Sequence, residues 1–363
     1  MASRGAAPIR YGIVGTGMMG VEHIENIAHL DGGAVVAVCD PDPVSLDAGV
    51  AAVLKTSAAT PEAFEDHRAL AEWGGCDAVV IASPNHTHGE IALEFLATDV
   101  HLLIEKPLCT TVEECRGVAE AAAAGPRDRV VQVGLEYRFM PPTMVLLDEI
   151  RSGALGSVRM VAIREHRFPF LPKVGDWNRF NRYTGGTFVE KCCHFFDLMN
   201  LIMDDVPVRV MASAGHDVNH LDETYDEGAP DVIDNGYVIV DYGQSRRAML
   251  DLCMFAEGSK NQQEISVVGD VAKAEALVSE SIVRIGQRSD WSVEERRVEP
   301  VGIAHVGMHH GSSYLEHVAF AESIRTRRPA QVGIHDGLLA VAVGVAAHRS
   351  VETGAAVMMD EVL

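Results

Sequence analysis

From Ile9 to about Leu135 two hydrophobic patterns alternate. Short, nearly continuous apolar runs ("IRYGIVG", "AVVAVCD", "DAVVIAS", "VHLLIEK", "VVQVGLE") are separated by alanine-rich stretches of helical spacing. Such runs suit strands buried on both faces, and their alternation with helices predicts a parallel, doubly wound α/β sheet. Around Tyr137 the rhythm stops. From Ser157 to about Glu299 the segments "RMVAIREHRF", "GYVIVDYG", "RAMLDLCMF", "QEISVVG" and "SIVRIGQ" read as strands with turns between them, interrupted by one helix at 187–203. A second, α+β domain on a large, mostly antiparallel open sheet is expected there. Two more helices follow, "SSYLEHVAFAESIRTRRP" and "IHDGLLAVAVGVAAHRSVETG", the latter ended by Gly354. The expected division is 1–136 and 137–363, with the helices from about 312 packing back toward the first domain.

Composition narrows the classes. The 363 residues exceed a usual single core, and 47% of them are hydrophobic. With 52 acidic against 30 basic residues the net charge is -22, which repels nucleic acid and anionic membrane, so neither is an expected partner. "MASRGAAPIR" lacks the apolar core of a leader, and the longest apolar run, "GLLAVAVGVAA", is short for a bilayer. Seven scattered cysteines without a C-x-x-C pair suit buried free thiols in a reducing compartment. A cytoplasmic protein is expected.

The stretch "YGIVGTGMMGVEHI" places Gly15, Gly17 and Gly20 in a G-x-G-x-x-G between a strand and a helix. Gly15 permits the tight turn, Gly17 lets a pyrophosphate approach the backbone, and Gly20 lets helix and strand pack closely. Met18 and Met19 open the helix whose N-terminus faces the phosphates. Asp40 ends the next strand, where its carboxylate would accept the adenosine ribose hydroxyls and repel a 2'-phosphate; no Arg or Lys follows before Lys55. The expected cofactor is NAD.

A second signal is "HLLIEKPL", which projects Lys106 from the carboxyl end of a later strand. Together with the glycine turn, "SPNHTH" (residues 83–88) and Arg138 in "YRFMPP", it resembles the Gfo/Idh/MocA family of NAD-dependent oxidoreductases over almost the whole chain. The resemblance implies that Lys106 lies beside the nicotinamide and the reacting hydroxyl. It also implies cofactor contacts from Ser83, Pro84, Asn85, His88 and Glu105, and a substrate contact from Arg138.

"GGTFVEKCCHFFDLMN" (residues 185–200) offers three readings: metal site, thiol nucleophile, or acid/base helix. On one continuous helix Glu190, His194 and Asp197 fall within about 60° of one another, with Cys192, Phe195, Phe196 and Met199 opposite. Cys192 then fills the core, and Cys193 lies at the border. The adjacent cysteines diverge and no second Cys/His cluster has matching spacing, so no metal is expected. The stretch resembles the family's second signature, a glycine-rich turn, an aspartate and then a histidine, with Glu190 replacing the aspartate. In that reading His194, oriented by Glu190, takes the hydroxyl proton while Lys106 holds the oxygen.

Residues 151–182 hold seven basic side chains against two acidic ones, a local +5 running into that helix. Arg164, Arg167, Lys173, Arg179 and Arg182 are therefore candidate receivers of an anionic substrate, with an oligomer interface or surface ion pairs as the plainer reading. His166, Trp177, Tyr183, Lys191 and His310 are further candidates for the substrate pocket. The expected function is oxidation of a secondary hydroxyl of a sugar, polyol or sugar acid in a homo-oligomer, dimer or tetramer. Two alternatives are an NAD-dependent, sulfoquinovosidase-like glycoside hydrolase working by oxidation, elimination, hydration and reduction, and a catalytically idle NAD(H)-sensing regulator.

Overall fold

The computed structural model describes residues 7–363. The chain divides into two units. One runs to Glu136 and takes in Lys173–Gly175 and Gly302–Leu338; the other is Tyr137–Pro172, Asp176–Val301 and Leu339–Leu363. The helix Ser312–Thr326 thus belongs to the first unit, and the division falls inside the last long helix, Ile334–Thr353.

The first unit is built on six strands: β1 Ile9–Val14, β2 Gly33–Cys39, β3 Glu62–Phe64, β4 Ala78–Ile81, β5 His101–Glu105 and β6 Val131–Gly134. They form one parallel sheet in the order β3-β2-β1-β4-β5-β6, which is the doubly wound topology predicted from the apolar runs. The β4 residues Ala78–Ile81 are all fully buried, as strands covered on both faces must be.

The second unit carries β7 Val158–His166, β8 Pro207–Gly215, β9 Asn235–Tyr242, β10 Arg246–Cys253, β11 Gln263–Gly269, β12 Ala272–Leu277, β13 Ile282–Gln287, β14 Val293–Arg297 and β15 Val357–Met358. Their order is β14-β13-β12-β11-β7-β10-β9-β8-β15, antiparallel throughout except for the β7–β10 pair. Burial alternates along β9 to β12, so one face of this sheet is packed and the other is open. The helix Cys193–Met203 contacts β7 and β10.

One element departs from expectation. The helix predicted over 187–203 is two pieces, Thr187–Glu190 and Cys193–Met203. At the break the Cys192 N–H reaches back five residues to the Thr187 carbonyl, at 3.3 Å, which inserts one residue into the helical repeat and rotates everything after it by about 100°. The continuous wheel that set Glu190 on the face of His194 and Asp197 therefore does not apply, although His194 and Asp197 still share one helix.

The open face of the second sheet exposes Met160, Tyr237, Ile239 and Met249, with Ile239 and Met249 directly paired across β9 and β10. Apolar side chains grouped on an uncovered sheet face favour self-association. Light scattering at micromolar concentration is expected to give a homo-oligomer that Ile239→Glu shifts toward monomer; a wild-type monomer would reject the expectation.

Candidate active site

The glycine turn is held by backbone contact. Gly15 has φ +88°, and a Cβ on Gly20 would stand 1.9 Å from the Gly15 carbonyl oxygen, so no larger residue fits while the helix Met18–Ala28 keeps its place. Gly17, which opens that helix without a side-chain cap, has nothing within 4 Å of where its Cβ would be. The turn thus presents helix N–H groups to open space, as a pyrophosphate requires. Asp40 is aimed by the same turn: its Oδ2 accepts from the Thr16 N–H at 2.8 Å and its Oδ1 from the Asp42 N–H at 2.9 Å. These residues fit the adenosine and pyrophosphate parts of NAD.

Lys106 follows the last residue of β5, at the carboxyl edge where open parallel sheets bind ligands. Its own N–H bonds the Glu105 carboxylate at 3.0 Å, and the other Glu105 oxygen is 3.0 Å from His23 Nε2. Burial alone would push Glu105 up; the His23 hydrogen bond and charge, aided by Lys106, outweigh it and hold the carboxyl near 2. His23 in turn meets His317 at 2.8 Å. His88 is buried with its ring nitrogens on the Pro107 and Ser83 carbonyls, at 2.8 and 3.0 Å, and burial pushes its pKa down. It therefore ties two loops together, a correction to its expected direct contact with the cofactor, while Ser83, Pro84 and Asn85 lie on the loop it ties.

In the second unit, Gly185 and Gly186 take φ +79° and +85°. A Cβ on Gly186 would stand 2.3 Å from His348 Nε2, the atom that accepts the Phe188 N–H at 3.0 Å. Burial brings His348 down to about 4, so it stays a neutral acceptor. On the following helix the His194 ring stacks on Tyr137 at 4.1 Å and 11° between planes, and both are buried. Lys191, expected to face substrate, instead donates to Tyr137 Oη at 2.7 Å and pairs with the fully buried Glu165 at 3.0 Å. Arg138, also expected at the substrate, forks onto Asp197 of the His194 helix, with Nε 2.6 Å from Oδ2 and Nη2 on Oδ1. Glu190 is buried beside the break, as are Cys192 and Cys193.

The local +5 of residues 151–182 does not survive in space. Arg164 bonds Asp251 and Glu264, Arg179 is buried against Glu223, Arg182 pairs with Glu227, and Arg167 lies 3.5 Å from Glu165 and over the Phe168 ring. Arg164 and His166, which also meets Asp251 at 3.0 Å, lie on the open face of β7, because side chains alternate and Glu165 between them points to the packed face. Tyr183 donates to Glu227 at 3.1 Å. Lys173 and Trp177 are half-buried and His310 is exposed. Arg164, Arg167, Arg179 and Arg182 thus face carboxylates of the protein itself, all but Glu165 supplied by distant parts of the sequence, which argues against their receiving an anion. Among the described residues, the group able to share a metal ion is Glu22, Glu25 and His305, and nothing from residues 185–200 belongs to it.

Residues 9–135 match the model of an oxidoreductase-family NAD-binding Rossmann fold, and residues 148–359 that of the family's C-terminal alpha/beta domain. The chain belongs to the Gfo/Idh/MocA family. Its first unit is an NAD-binding Rossmann domain. The myo-inositol 2-dehydrogenase of Thermotoga maritima is 23% identical over 365 residues, 98% of this chain and all of that protein. A glycosyl hydrolase family 109 protein of Shewanella woodyi is 27% identical over 154 residues, 41% of this chain and 32% of its own length. Levoglucosan dehydrogenase, solved with NADH and levoglucosan, superposes with a TM-score of 0.84 at 18% identity, covering 97% of this chain and 99% of that one. No helix among the described residues is long and apolar enough to cross a membrane.

For this family member, reading from sequence missed Tyr137, Glu165, His23 and Glu136. Their partners are distant in sequence, and only Glu136, just past the end of β6, carried a positional clue. The Lys191–Glu165 pair is a buried ion pair, so removing one partner leaves a charge poorly compensated. In urea unfolding Lys191→Met is expected to lose about 3 kcal/mol, and Lys191→Met with Glu165→Gln to lose clearly less; equal losses would mean that the pair is not what holds this region.

Proposed function

We propose that the protein oxidises a secondary hydroxyl of an uncharged sugar or polyol, with NAD as acceptor. The observation that carries this reading is Lys106 at the carboxyl edge of the sheet that also bears the glycine turn and Asp40, in a chain of an NAD-binding oxidoreductase family. A sugar or polyol is favoured because the myo-inositol 2-dehydrogenase match runs the length of both chains. An uncharged one is favoured because the candidate arginines are taken by carboxylates of the protein.

The nicotinamide supplies the hydride acceptor. In this reading the Lys106 ammonium holds the substrate oxygen and stabilises the alkoxide that develops on it, and His194 takes the hydroxyl proton. The Tyr137 stack fixes the plane of that imidazole. The balance is one alcohol and NAD+ giving one ketone, NADH and one proton.

A second reading is supported by the glycosyl hydrolase family 109 relatives: oxidation, elimination, hydration and re-reduction, with no net NADH. The test is a panel of inositols, free sugars and aryl glycosides with NAD, in which NADH and aglycone are followed separately. NADH from free polyols is expected; aglycone without NADH would favour the second reading, and neither product the idle regulator. Lys106→Ala and His194→Ala are each expected to lower kcat by about 10²–10⁴ while NAD still binds. Asp40 should make NAD bind at least about tenfold tighter than NADP, a gap that Asp40→Ala narrows in titration.

A further inference from the structure

The Rossmann unit holds a buried acidic group that neither the nucleotide contacts nor the proposed chemistry uses. Glu136 lies two residues past the end of β6, and β6 pairs with β5 so that Gly134 stands opposite Glu105. Glu136 and Lys106 therefore leave the same carboxyl edge on neighbouring strands. With Asp40 at the end of β2 and the glycine turn at the end of β1, an NAD held by them would extend its nicotinamide half toward β4, β5 and β6 in the order β3-β2-β1-β4-β5-β6.

Glu136 is 4% exposed. Its Oε2 accepts from the Ser313 hydroxyl, and its Oε1 is 3.3 Å from His309 Nδ1. His309 is 28% exposed and links the buried carboxyl to solvent. The other titratable groups around it are Glu105 and Lys106 at the end of β5, His23 on the helix Met18–Ala28, and Glu316, buried with both carboxylate oxygens unpartnered, on the helix Ser312–Thr326. Burial first, then the fixed charge of Glu105, raises Glu136 to about 7, while Ser313, Lys106 and His23 pull the other way. Burial, then the charges of Glu136 and Glu105, also raise Glu316 well above the usual carboxylate range.

We infer that Glu136 is a charge-switching residue of the nicotinamide half-site: it is ionised opposite the cationic NAD+ ring, takes up a proton when that ring is neutral as in NADH, and exchanges the proton with solvent through His309. The sign follows from linkage. A cation nearby favours the carboxylate, so NAD+ binding releases a proton and tightens as pH rises through the carboxyl's titration, whereas NADH binding is nearly flat.

This rests on the NAD-binding reading and on no particular substrate, so it is tested without turnover. Titrating the full chain with NAD+ and with NADH from pH 5.5 to 8.5 is expected to show the ratio Kd(NAD+)/Kd(NADH) falling by about three- to tenfold, tenfold being one unit of pKa displacement. Calorimetry near pH 7 in buffers of different ionisation enthalpy should show proton release on binding NAD+ only. Glu136→Gln should flatten the ratio. Ser313→Ala, which removes a hydrogen bond to the charged form, should move its midpoint to higher pH, a shift that a merely structural role would not produce. A flat wild-type ratio, an unchanged slope in Glu136→Gln, or an unmoved midpoint in Ser313→Ala overturns the inference. If Glu136→Gln does not fold, the Ser313→Ala midpoint decides. Binding of neither nucleotide would overturn the NAD-binding reading as well.

Discussion

In the Rossmann unit the backbone of the helix Met18–Ala28 comes close against the turn that precedes it. With only hydrogen on Gly20, the helix packs onto the Gly15 carbonyl, and Gly15 can then take its left-handed φ. That contact sets where the Thr16 N–H points, and the Thr16 N–H sets where the Asp40 carboxylate points. The aim of the Asp40 carboxylate is thus decided by main-chain geometry, in which a side chain on Gly20 would have no room. The second unit repeats the device at Gly186, where a Cβ would collide with the neutral His348 that accepts the Phe188 N–H. In both units glycines are used where backbone must come close, and the functional candidates follow within a few residues.

Charge is distributed by a different rule. Seven basic residues within 32 positions look like a field along the chain, yet the fold spreads them over strand β7, helical turns and loops, and brings carboxylates from other segments alongside most of them. Arg164 and Glu165 are sequence neighbours on opposite faces, one bonded to Asp251 and Glu264, the other to Lys191. A protein with 22 excess acidic residues has ample carboxylate to absorb its arginines. A local sum of charge is therefore weak evidence for a ligand wherever the segment contains strand.

Legibility followed the same division. The parallel sheet was readable because its central strands are buried on both faces and give unbroken apolar runs; β3, three residues with two exposed, gave none. In the second sheet the strands with strong Val, Ile or Leu content were visible, but β8, with a half-exposed "PVRVMASAG", β12, whose core positions are alanines, and the fully exposed β14 were not. The glycine turn, Asp40 and the lysine at the strand end were legible because each is a spacing within one element and its neighbour. The break at Lys191 and Cys192 was not legible, and the partners of Lys191 there, Glu165 and Tyr137, come from other segments.

The carboxyl edge of the first sheet shows what the missed residues add. Glu105 and Glu136 stand on neighbouring strands, both buried, yet their environments drive them apart. His23 bonds Glu105 and keeps it an anion, and that fixed anion, added to burial, raises Glu136 toward neutrality. Two like charges so close are not both favoured, so the histidine's choice of partner decides which carboxylate keeps its charge and which becomes adjustable. His23 is itself placed by the helix that Gly20 allows to pack, five residues past its start at Met18. The packing that Gly20 allows therefore also fixes, at the carboxyl edge of the sheet, which acid keeps its charge and which can respond to a charge placed beside it.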